Sequence, residues 1–250
     1  MSRRTIGILG GMGPLATADL YTKIIRATPA RTDQEHVPVM IHADPTVPDR
    51  TAALLYGGED PLPWLIHGVE NLARAGADFV VIPCNTAHAF LDEIRAACPI
   101  PIVDMIDESA GAVAALSGHI TQAGILATSG TVAANLYQTA LGRHGLQPRV
   151  PDDAHQALVM ETIVQVKAGT IDAHTVDPVL RAAGWLEEGG AGALLAACTE
   201  LPVVLHQNLV HVPLIDPTDV LAHAAVRLAT DDIAWNRLEQ EAGKVQSHVN

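Results

Sequence analysis

Two stretches of the sequence decide the fold: AGADFVVIPCNT at residues 75–86 and GGAGALLAACTE at residues 189–200. In both, glycine and small residues lead into an apolar run that ends at a cysteine, and polar residues follow at once. A short apolar run of this kind is typical of a strand that is buried on both faces of a parallel sheet. Cys198 follows Cys84 by 114 residues, so the same unit occurs twice in the chain.

Two further pairs of segments repeat in the same order. TIGIL at residues 5–9 returns as QAGIL at 122–126, 117 residues later, and PIVD at 101–104 returns as PLID at 213–216, 112 residues later. Three strand-like units therefore recur in order at nearly constant spacing. We interpret the chain as two similar α/β halves that arose by duplication.

Segments with helical character separate the strand-like units. The predicted helices cover residues 15–27, 64–75, 89–97, 132–144, 153–168, 178–188 and 232–243. Alternating strands and helices imply parallel sheets with right-handed crossovers. The predicted fold is therefore α/β, with two similar domains, each a parallel sheet flanked by helices. We expect pseudo-twofold symmetry between the domains and an active site in the cleft between them.

The expected domain boundaries follow from the repeat. Residues 1–105 plus 213–250 form the predicted N-terminal α/β domain, which carries Cys84. Residues 106–212 form the predicted second α/β domain, which carries Cys198.

Composition narrows the classes of function. The chain is 48% hydrophobic and 17% charged, as in soluble globular proteins, and its net charge of −13 argues against binding of nucleic acid. The three cysteines and twelve histidines lack the spacings of a disulfide framework or a metal site, so no metal is predicted. Neither a signal-peptide core nor an apolar run of about 18 residues occurs, which predicts a cytoplasmic protein without a membrane partner.

Cys84 and Cys198 are the candidate catalytic residues. A lone cysteine is usually a small hydrophobic residue, and this is our interpretation of Cys98. The other two end their apolar runs, and ligands of parallel sheets bind at the carboxyl ends of strands. Two facing halves would place these thiols on opposite walls of one cleft. Two acid/base groups on opposite sides can invert a stereocentre, because one removes a proton and the other delivers one.

The glycine-rich segment GGMGPLAT at residues 10–17 follows the first strand. Its residues 11–16 match the dinucleotide pattern G-x-G-x-x-A. However, Pro14 stands where a pyrophosphate needs N–H donors, and no clear strand-ending acid follows about 20 residues later. We interpret the segment as the close lining of a small pocket, with Met12 as one wall.

Three motifs together resemble a known family. GGMGP at residues 10–14, PCNTAH at 83–88 and CTELP at 198–202 resemble the aspartate/glutamate racemase superfamily, in particular its aspartate racemase branch. Glutamate racemases typically have Asp-Ser-Gly in the opening loop and His after the second Cys-Thr, where this chain has Met12 with glycines and Glu200. The resemblance runs from about residue 6 to residue 216. It implies two α/β domains around a cleft, no pyridoxal phosphate or other cofactor, no metal, and commonly a homodimer.

The resemblance also implies a small acidic amino acid as substrate. Arg50, in PDRT, matches the arginine that holds the side-chain carboxylate of aspartate, and Lys167, in VKAG, matches the lysine that assists it. Broad-specificity relatives often lack this pair, so its presence favours aspartate. The further expected substrate-binding residues are Met12, Asn85, Thr86, Ala87, Thr128, Thr199 and Glu200.

Several roles and functions stay open at this point. His88 either orients Cys84 or packs a helix, and Glu200 either orients the substrate ammonium or caps a helix. We expect helices to start after both cysteines and to offer N–H groups to a carboxylate. The predicted function is cofactor-independent racemisation of L- and D-aspartate through Cys84 and Cys198. The alternatives are a glutamate or broad-specificity racemase, an isomerase or decarboxylase of small dicarboxylic acids, a nucleotide-dependent oxidoreductase, and a non-catalytic amino-acid-binding protein.

Overall fold

Two parallel sheets form the framework of the computed structural model, which describes residues 3–118 and 120–247. The chain folds as two compact units. The first comprises the described residues of Met1–Asp49, Glu59–Met105 and Leu221–Asn250, and the second comprises Arg50–Gly58 and the described residues of Ile106–Val220. The predicted α/β fold, with parallel sheets flanked by helices, is confirmed.

Strands and helices alternate along most of the chain. The strands are β1 (Ile6–Gly10), β2 (Val39–Ala43), β3 (Phe79–Val81), β4 (Gln122–Ala127), β5 (Gln147–Arg149), β6 (Ala193–Ala197) and β7 (Leu214–Ile215). The helices are α1 (Pro14–Ala27), α2 (Arg50–Tyr56), α3 (Leu62–Ala75), α4 (Leu91–Ala97), α5 (Met105–Ala114), α6 (Ser129–Ala133), α7 (Leu136–Arg143), α8 (Asp153–Lys167), α9 (Asp177–Glu188), α10 (Pro217–Thr230) and α11 (Asp232–Ser247). None of the described helices is both long and apolar enough to cross a lipid bilayer.

The two sheets have the same strand arrangement. The first unit has the order β2-β1-β3, and Ile102 adds a single parallel bridge to Val80 beyond β3. The second unit has the order β5-β4-β6-β7, again with every pair parallel. Strand β1 thus corresponds to β4, β3 to β6, and the bridge at Ile102 to β7.

The internal repeat extends to individual hydrogen bonds. The N–H of Val80 donates to the carbonyl of Pro101 at 2.8 Å, and the N–H of Leu194 donates to that of Pro213 at 2.9 Å. Leu194 follows Val80 by 114 residues and Pro213 follows Pro101 by 112, which are the spacings of the repeated segments. Each unit therefore places its cysteine-bearing segment after the equivalent strand, β3 in the first sheet and β6 in the second.

Apolar residues on both faces explain why these strands are buried. Phe79 and Val81 of β3 contribute to one apolar cluster, whereas Val80 between them contributes to another. In β6, Leu195 likewise contributes to one apolar cluster and its neighbour Leu194 to another. Because neighbouring side chains of a strand point to opposite faces, continuous apolar runs suit sheets that are covered by helices on both sides.

The structure corrects one predicted helix. Residues 132–144 were expected to form a single helix, but α6 ends at Ala133 and α7 begins at Leu136. Asn135 between them has a φ of 54°, in the left-handed region, which interrupts a right-handed helix. Asparagine is one of the few residues other than glycine that visit this region readily.

Candidate active site

Cys84 lies just beyond the carboxyl end of β3. Its side chain is buried with Met12, Val47, Ala87 and Leu91 in one apolar cluster of the first unit. The N–H of Cys84 donates to the carbonyl of Ile82 at 2.8 Å, which turns the chain sharply after the strand. The turn sets the thiol at the strand end instead of inside the sheet.

The glycine-rich segment after β1 is held by close contacts within the protein. Gly11 has a φ of 96°, and a Cβ atom on it would lie 2.3 Å from main-chain atoms of Asp44. The N–H of Gly11 donates to Oγ1 of Thr17 at 2.9 Å, and the same hydroxyl donates to the carbonyl of Gly13. Thr17, which sequence analysis did not single out, therefore fixes the loop that carries Met12.

The segments after the two cysteines differ from the helices that we expected. Residues Thr86–Phe90 and Leu201–Val203 form short 3-10 helices, and no side chain caps either start. Asn85 and Glu200, the residues before them, have helical backbone angles and lack the extended conformation of a capping residue. Asn85, Thr86 and Ala87 are buried beside Cys84, and Thr199 is buried beside Cys198.

His88 fastens the main chain around Cys84. Its Nδ1 lies 2.9 Å from the carbonyl oxygen of Cys84, and the N–H of Met105 donates to its Nε2 at 3.2 Å. A main-chain N–H can only donate, so Nε2 is the accepting nitrogen and Nδ1 carries the proton. Burial lowers the pKa of His88, although Asp104 and nearby carbonyls oppose this effect, so the ring is held neutral.

Cys198 follows β6 and bonds to a carboxylate. Its Sγ donates to Oε2 of Glu200 at 2.9 Å, and Oγ1 of Thr199 lies 3.3 Å from the same oxygen. Cys198 and Glu200 are 5% and 8% exposed, so solvent screens this contact little. Burial raises the pKa of the Cys198 thiol well above its usual range, Glu200 raises it further, and Lys167 acts in the opposite direction.

Arg50 belongs to the second unit although it precedes most of that unit by more than fifty residues. It begins α2, and its side chain is buried. The next residue, Thr51, packs on Gly130 of α6 so closely that a Cβ on the glycine would lie 3.0 Å from Cα of Thr51. Helix α6 starts after β4, so Arg50 is carried to the carboxyl edge of the second sheet.

Thr128 and Lys167 complete the predicted residues of this unit. Oγ1 of Thr128 accepts the N–H of Thr131 at 3.1 Å and thereby caps α6. Lys167 is the last residue of α8, its side chain is exposed, and its charge favours the thiolate of Cys198. The main role seen for the Thr128 hydroxyl is therefore structural, whereas Lys167 acts electrostatically on the candidate catalytic thiol.

The predicted residues fall into two groups, each within one unit. Met12, Cys84, Asn85, Thr86 and Ala87 lie in the first unit after β1 and β3. Arg50, Thr128, Lys167, Cys198, Thr199 and Glu200 lie in the second unit.

Other features of the described residues lie away from these groups. A surface cavity of about 320 Å³ in the first unit is lined by residues such as Tyr21, Thr28, His36 and Val39, none of them predicted for the site. Val39 begins β2, so this cavity is at the amino edge of the sheet, opposite Cys84. Cys98 is buried among apolar side chains, and burial raises its pKa. Among the residues described, no three His, Cys, Asp or Glu side chains gather as a metal site would require.

Comparison with known proteins gives one consistent family. The model of the Asp/Glu/Hydantoin racemase family matches residues 9–225. The chain is 30% identical over 232 residues to the broad-specificity amino-acid racemase RacX of Bacillus subtilis (strain 168), covering 88% of this chain and 96% of that protein. It is 32% identical over 172 residues to a glutamate racemase of Deinococcus radiodurans, covering 68% and 53%. Among solved structures, the Picrophilus torridus aspartate racemase superposes with a TM-score of 0.78 and 31% identity, covering 97% of this chain and 99% of that one.

Proposed function

The chain belongs to the Asp/Glu/Hydantoin racemase family, and we propose that it interconverts L- and D-aspartate with Cys84 and Cys198 as the two acid/base groups. The observation that carries the proposal is the equivalent position of the two thiols, which follow the corresponding strands β3 and β6 of the two sheets. Ligands of parallel sheets bind at this edge. Cys98, the third thiol, has no such position.

The proposed reaction moves one proton at a time. The thiolate of one cysteine takes the Cα proton, and the electron pair of the broken C–H bond stays on a planar, carbanion-like intermediate. The thiol of the other cysteine then gives its proton to the opposite face of Cα, and it becomes the thiolate. Both cysteines have exchanged roles after one turnover, so the next molecule is converted in the opposite sense unless the protons redistribute.

The Cα proton must be made acidic without an electron sink. We propose that main-chain N–H groups and the polar side chains of Asn85, Thr86 and Thr199 bind the α-carboxylate and ammonium groups. Asn85, Thr86 and Thr199 are buried beside their cysteines. Hydrogen-bond donors that are fixed in a water-poor site stabilise developing charge more strongly than they do in water.

Two cations of the second unit support an acidic substrate. A guanidinium can bind a carboxylate through two parallel hydrogen bonds, and Arg50 is buried at the start of α2. Lys167 contributes a positive charge in the same unit as Cys198. Glutamate or broad specificity is the second candidate, because a glutamate racemase and a broad-specificity racemase are also similar to this chain.

Incubation with each enantiomer of aspartate in deuterium oxide, without added cofactor, tests the activity. We expect loss of optical activity, with solvent deuterium at Cα of the product enantiomer and little in the remaining substrate early in the reaction. Glutamate and alanine in parallel reactions test the specificity. If a correctly folded preparation exchanged the Cα hydrogen of none of these amino acids with solvent deuterium, the proposed function would be overturned.

Cysteine variants test the mechanism. Cys84→Ala and Cys198→Ala should each abolish racemisation. Cys98→Ala is the matched control, because it removes an equally buried thiol of the first unit and should leave racemisation near that of the unaltered protein. If the Cys198→Ala protein racemised aspartate normally, the two-thiol mechanism would have to be abandoned.

A further inference from the structure

The contact between Cys198 and Glu200 fixes where a proton lies. The Sγ–Oε2 distance is 2.9 Å, and both side chains are buried. An ionised carboxylate can only accept hydrogen bonds, so the hydrogen between the two atoms belongs to the sulfur. The hydroxyl of Thr199, at 3.3 Å, is a second donor to the same oxygen.

Loss of the proton from Cys198 would place two negative charges beside each other away from water. Like charges at this distance repel strongly where solvent screens them little. The opposing charge is that of Lys167 at the end of α8, whose side chain is exposed and therefore better screened. The local charges around Cys198 thus favour its thiol.

The two cysteines differ in whether a carboxylate follows them closely in the chain. The residues after Cys84 are Asn-Thr-Ala-His, without a carboxylate, whereas Glu200 is the second residue after Cys198. His88 donates to the main-chain carbonyl of Cys84 and not to its sulfur. The equivalent strands therefore end in thiols with unequal surroundings.

We propose, on the basis of the two-cysteine racemisation above, that Glu200 is a positioning residue that keeps Cys198 protonated in the resting enzyme. Cys198 is then the proton donor for the first turnover, and Cys84 is the group that must accept a proton. The enantiomer whose Cα proton is taken by Cys84 can react with the resting enzyme. The other enantiomer reacts only after Cys198 has lost its proton. Glu200 thereby sets which enantiomer the resting enzyme is prepared to convert.

Racemisation rates alone cannot show this asymmetry fully. The two enantiomers have equal free energies, so kcat/KM must be the same in both directions, and unequal resting states appear only as compensating differences in kcat and KM. An irreversible reaction that needs only the first proton transfer separates the two faces.

A direct titration tests the effect of Glu200 on Cys198. In a Cys84→Ala/Cys98→Ala protein, Cys198 is the one remaining thiol of the chain, and the ultraviolet absorbance of its thiolate can be followed against pH. Adding Glu200→Gln should shift this titration to lower pH, because the neighbouring negative charge is gone while a hydrogen-bond acceptor of the same shape remains. Adding Glu187→Gln, the matched control, removes a carboxylate of the same unit that bonds to His211, and should leave the titration unchanged.

This titration does not depend on racemisation. An unchanged titration in the Glu200→Gln protein, or one shifted to higher pH, would overturn the inference while leaving the proposed function intact.

Elimination of chloride from 3-chloroaspartate tests which cysteine removes the Cα proton of each Cα enantiomer. A thiolate takes the Cα proton, the C–H electron pair forms a Cα=Cβ bond, and chloride leaves with its own pair. The resulting enamine tautomerises, and water converts it to oxaloacetate and ammonium. The Cys198→Ala protein identifies the enantiomer for which Cys198 is the base, because it should no longer eliminate chloride from that enantiomer and should still eliminate it from the other.

For this enantiomer, Glu200→Gln should move the pH profile of elimination to lower pH, and for the other enantiomer it should not. Slower elimination of the Cys198-dependent enantiomer at every pH would overturn the inference, because it would make Glu200 the acceptor of the Cys198 proton. Equal shifts for both enantiomers would also overturn it and would indicate a general structural role. If neither enantiomer were eliminated and aspartate were not racemised, the proposed function itself would fail.

Discussion

His88 ties the carbonyl oxygen of Cys84 to the start of α5. Its Nδ1 lies 2.9 Å from that oxygen, and its Nε2 accepts the N–H of Met105, the first residue of the helix. Both ring nitrogens are engaged by buried main-chain groups, so the imidazole has no nitrogen left for the sulfur of Cys84. The role of His88 is therefore to position the main chain that carries the thiol. Packing against a helix, the other role considered for His88, accounts for its hydrogen bond with Met105 but not for its hydrogen bond to Cys84.

Replacement of His88 by Ala should destabilise the protein and disturb Cys84. Each buried main-chain group that loses its partner costs roughly 1–3 kcal/mol. Denaturant unfolding of His88→Ala should show this loss in the free energy of unfolding, together with reduced racemisation. His67→Gln, at an exposed histidine of α3, is the control and should change neither. An unaltered stability of His88→Ala would contradict the two hydrogen bonds of the buried imidazole.

The stability of the protein should fall in mild acid because of the same residue. Burial lowers the pKa of His88 in the folded state below the value of about 6.5 for an unfolded chain. The unfolded chain therefore binds the proton first, and the contribution of His88, complete above pH 6.5 or so, is lost as the pH falls through the folded pKa. His88→Asn can keep a donor near the position of Nδ1 but cannot titrate, so its free energy of unfolding should depend less on pH over this range.

The sequence predicted the parts of the fold that depend on apolar runs. The segments around Phe79–Val81 and Ala193–Ala197 are continuous, buried and repeated, and they form the corresponding strands β3 and β6 of the two sheets. Strand β5 was missed because Gln147–Arg149 is short, contains a proline and lies at an edge of its sheet with little apolar surface. Edge strands of this kind leave no periodic signal in the sequence.

Site geometry was less accessible to prediction. The motifs located both cysteines, but the hydrogen bond between Cys198 and Glu200 depends on how the chain turns after β6, so the role of Glu200 could not be read from its motif alone. The sequence also did not predict that Arg50 lies in the second unit. Helix α2 belongs to that unit because Thr51 packs on Gly130, which is far away in the sequence. Long-range packing of small residues has no local signature.

Gly11 should tolerate no side chain. Alanine there would combine a positive φ of 96° with a Cβ atom 2.3 Å from the main chain of Asp44, so the backbone would have to move. Gly57 is the matched control, since its φ is 64° and no atom lies within 4 Å of the position that a Cβ atom would occupy. Gly57→Ala should cost about 1–2 kcal/mol for the left-handed conformation alone.

Gly11→Ala should lower the free energy of unfolding clearly further than Gly57→Ala, as measured by denaturant titration with unchanged m values. Similar losses for the two variants would show that the contact with Asp44 does not restrict the loop that carries Met12.

Lys167 should act on Cys198 through its charge. The ammonium favours the thiolate, so Lys167→Ala should raise the pKa of Cys198 still further and move its thiolate titration to higher pH. Lys167 is exposed, and the variant should fold normally. Arg181→Ala removes an exposed cation from α9 of the same unit and serves as the control. A titration that moved equally in both variants would point to net charge instead of the placement of Lys167.

Arg50 tests the identity of the substrate. If its guanidinium grips the side-chain carboxylate of aspartate through two hydrogen bonds, lysine at this position keeps the charge but loses that geometry. The loss of one charge-assisted hydrogen bond, about 1.5–3 kcal/mol, corresponds to a decrease of roughly 10- to 150-fold in kcat/KM for aspartate. Exchange of the Cα hydrogen of alanine, which has no side-chain carboxylate, should not decrease in the same proportion.

The measurement is the ratio of kcat/KM for aspartate to that for alanine, because a ratio cancels any loss of folded enzyme. Arg181→Lys, an exposed arginine of the same unit, gives the control ratio. If Arg50→Lys left the ratio unchanged, Arg50 would not select the substrate, and the preference for aspartate over a broad range of amino acids would lose its main support.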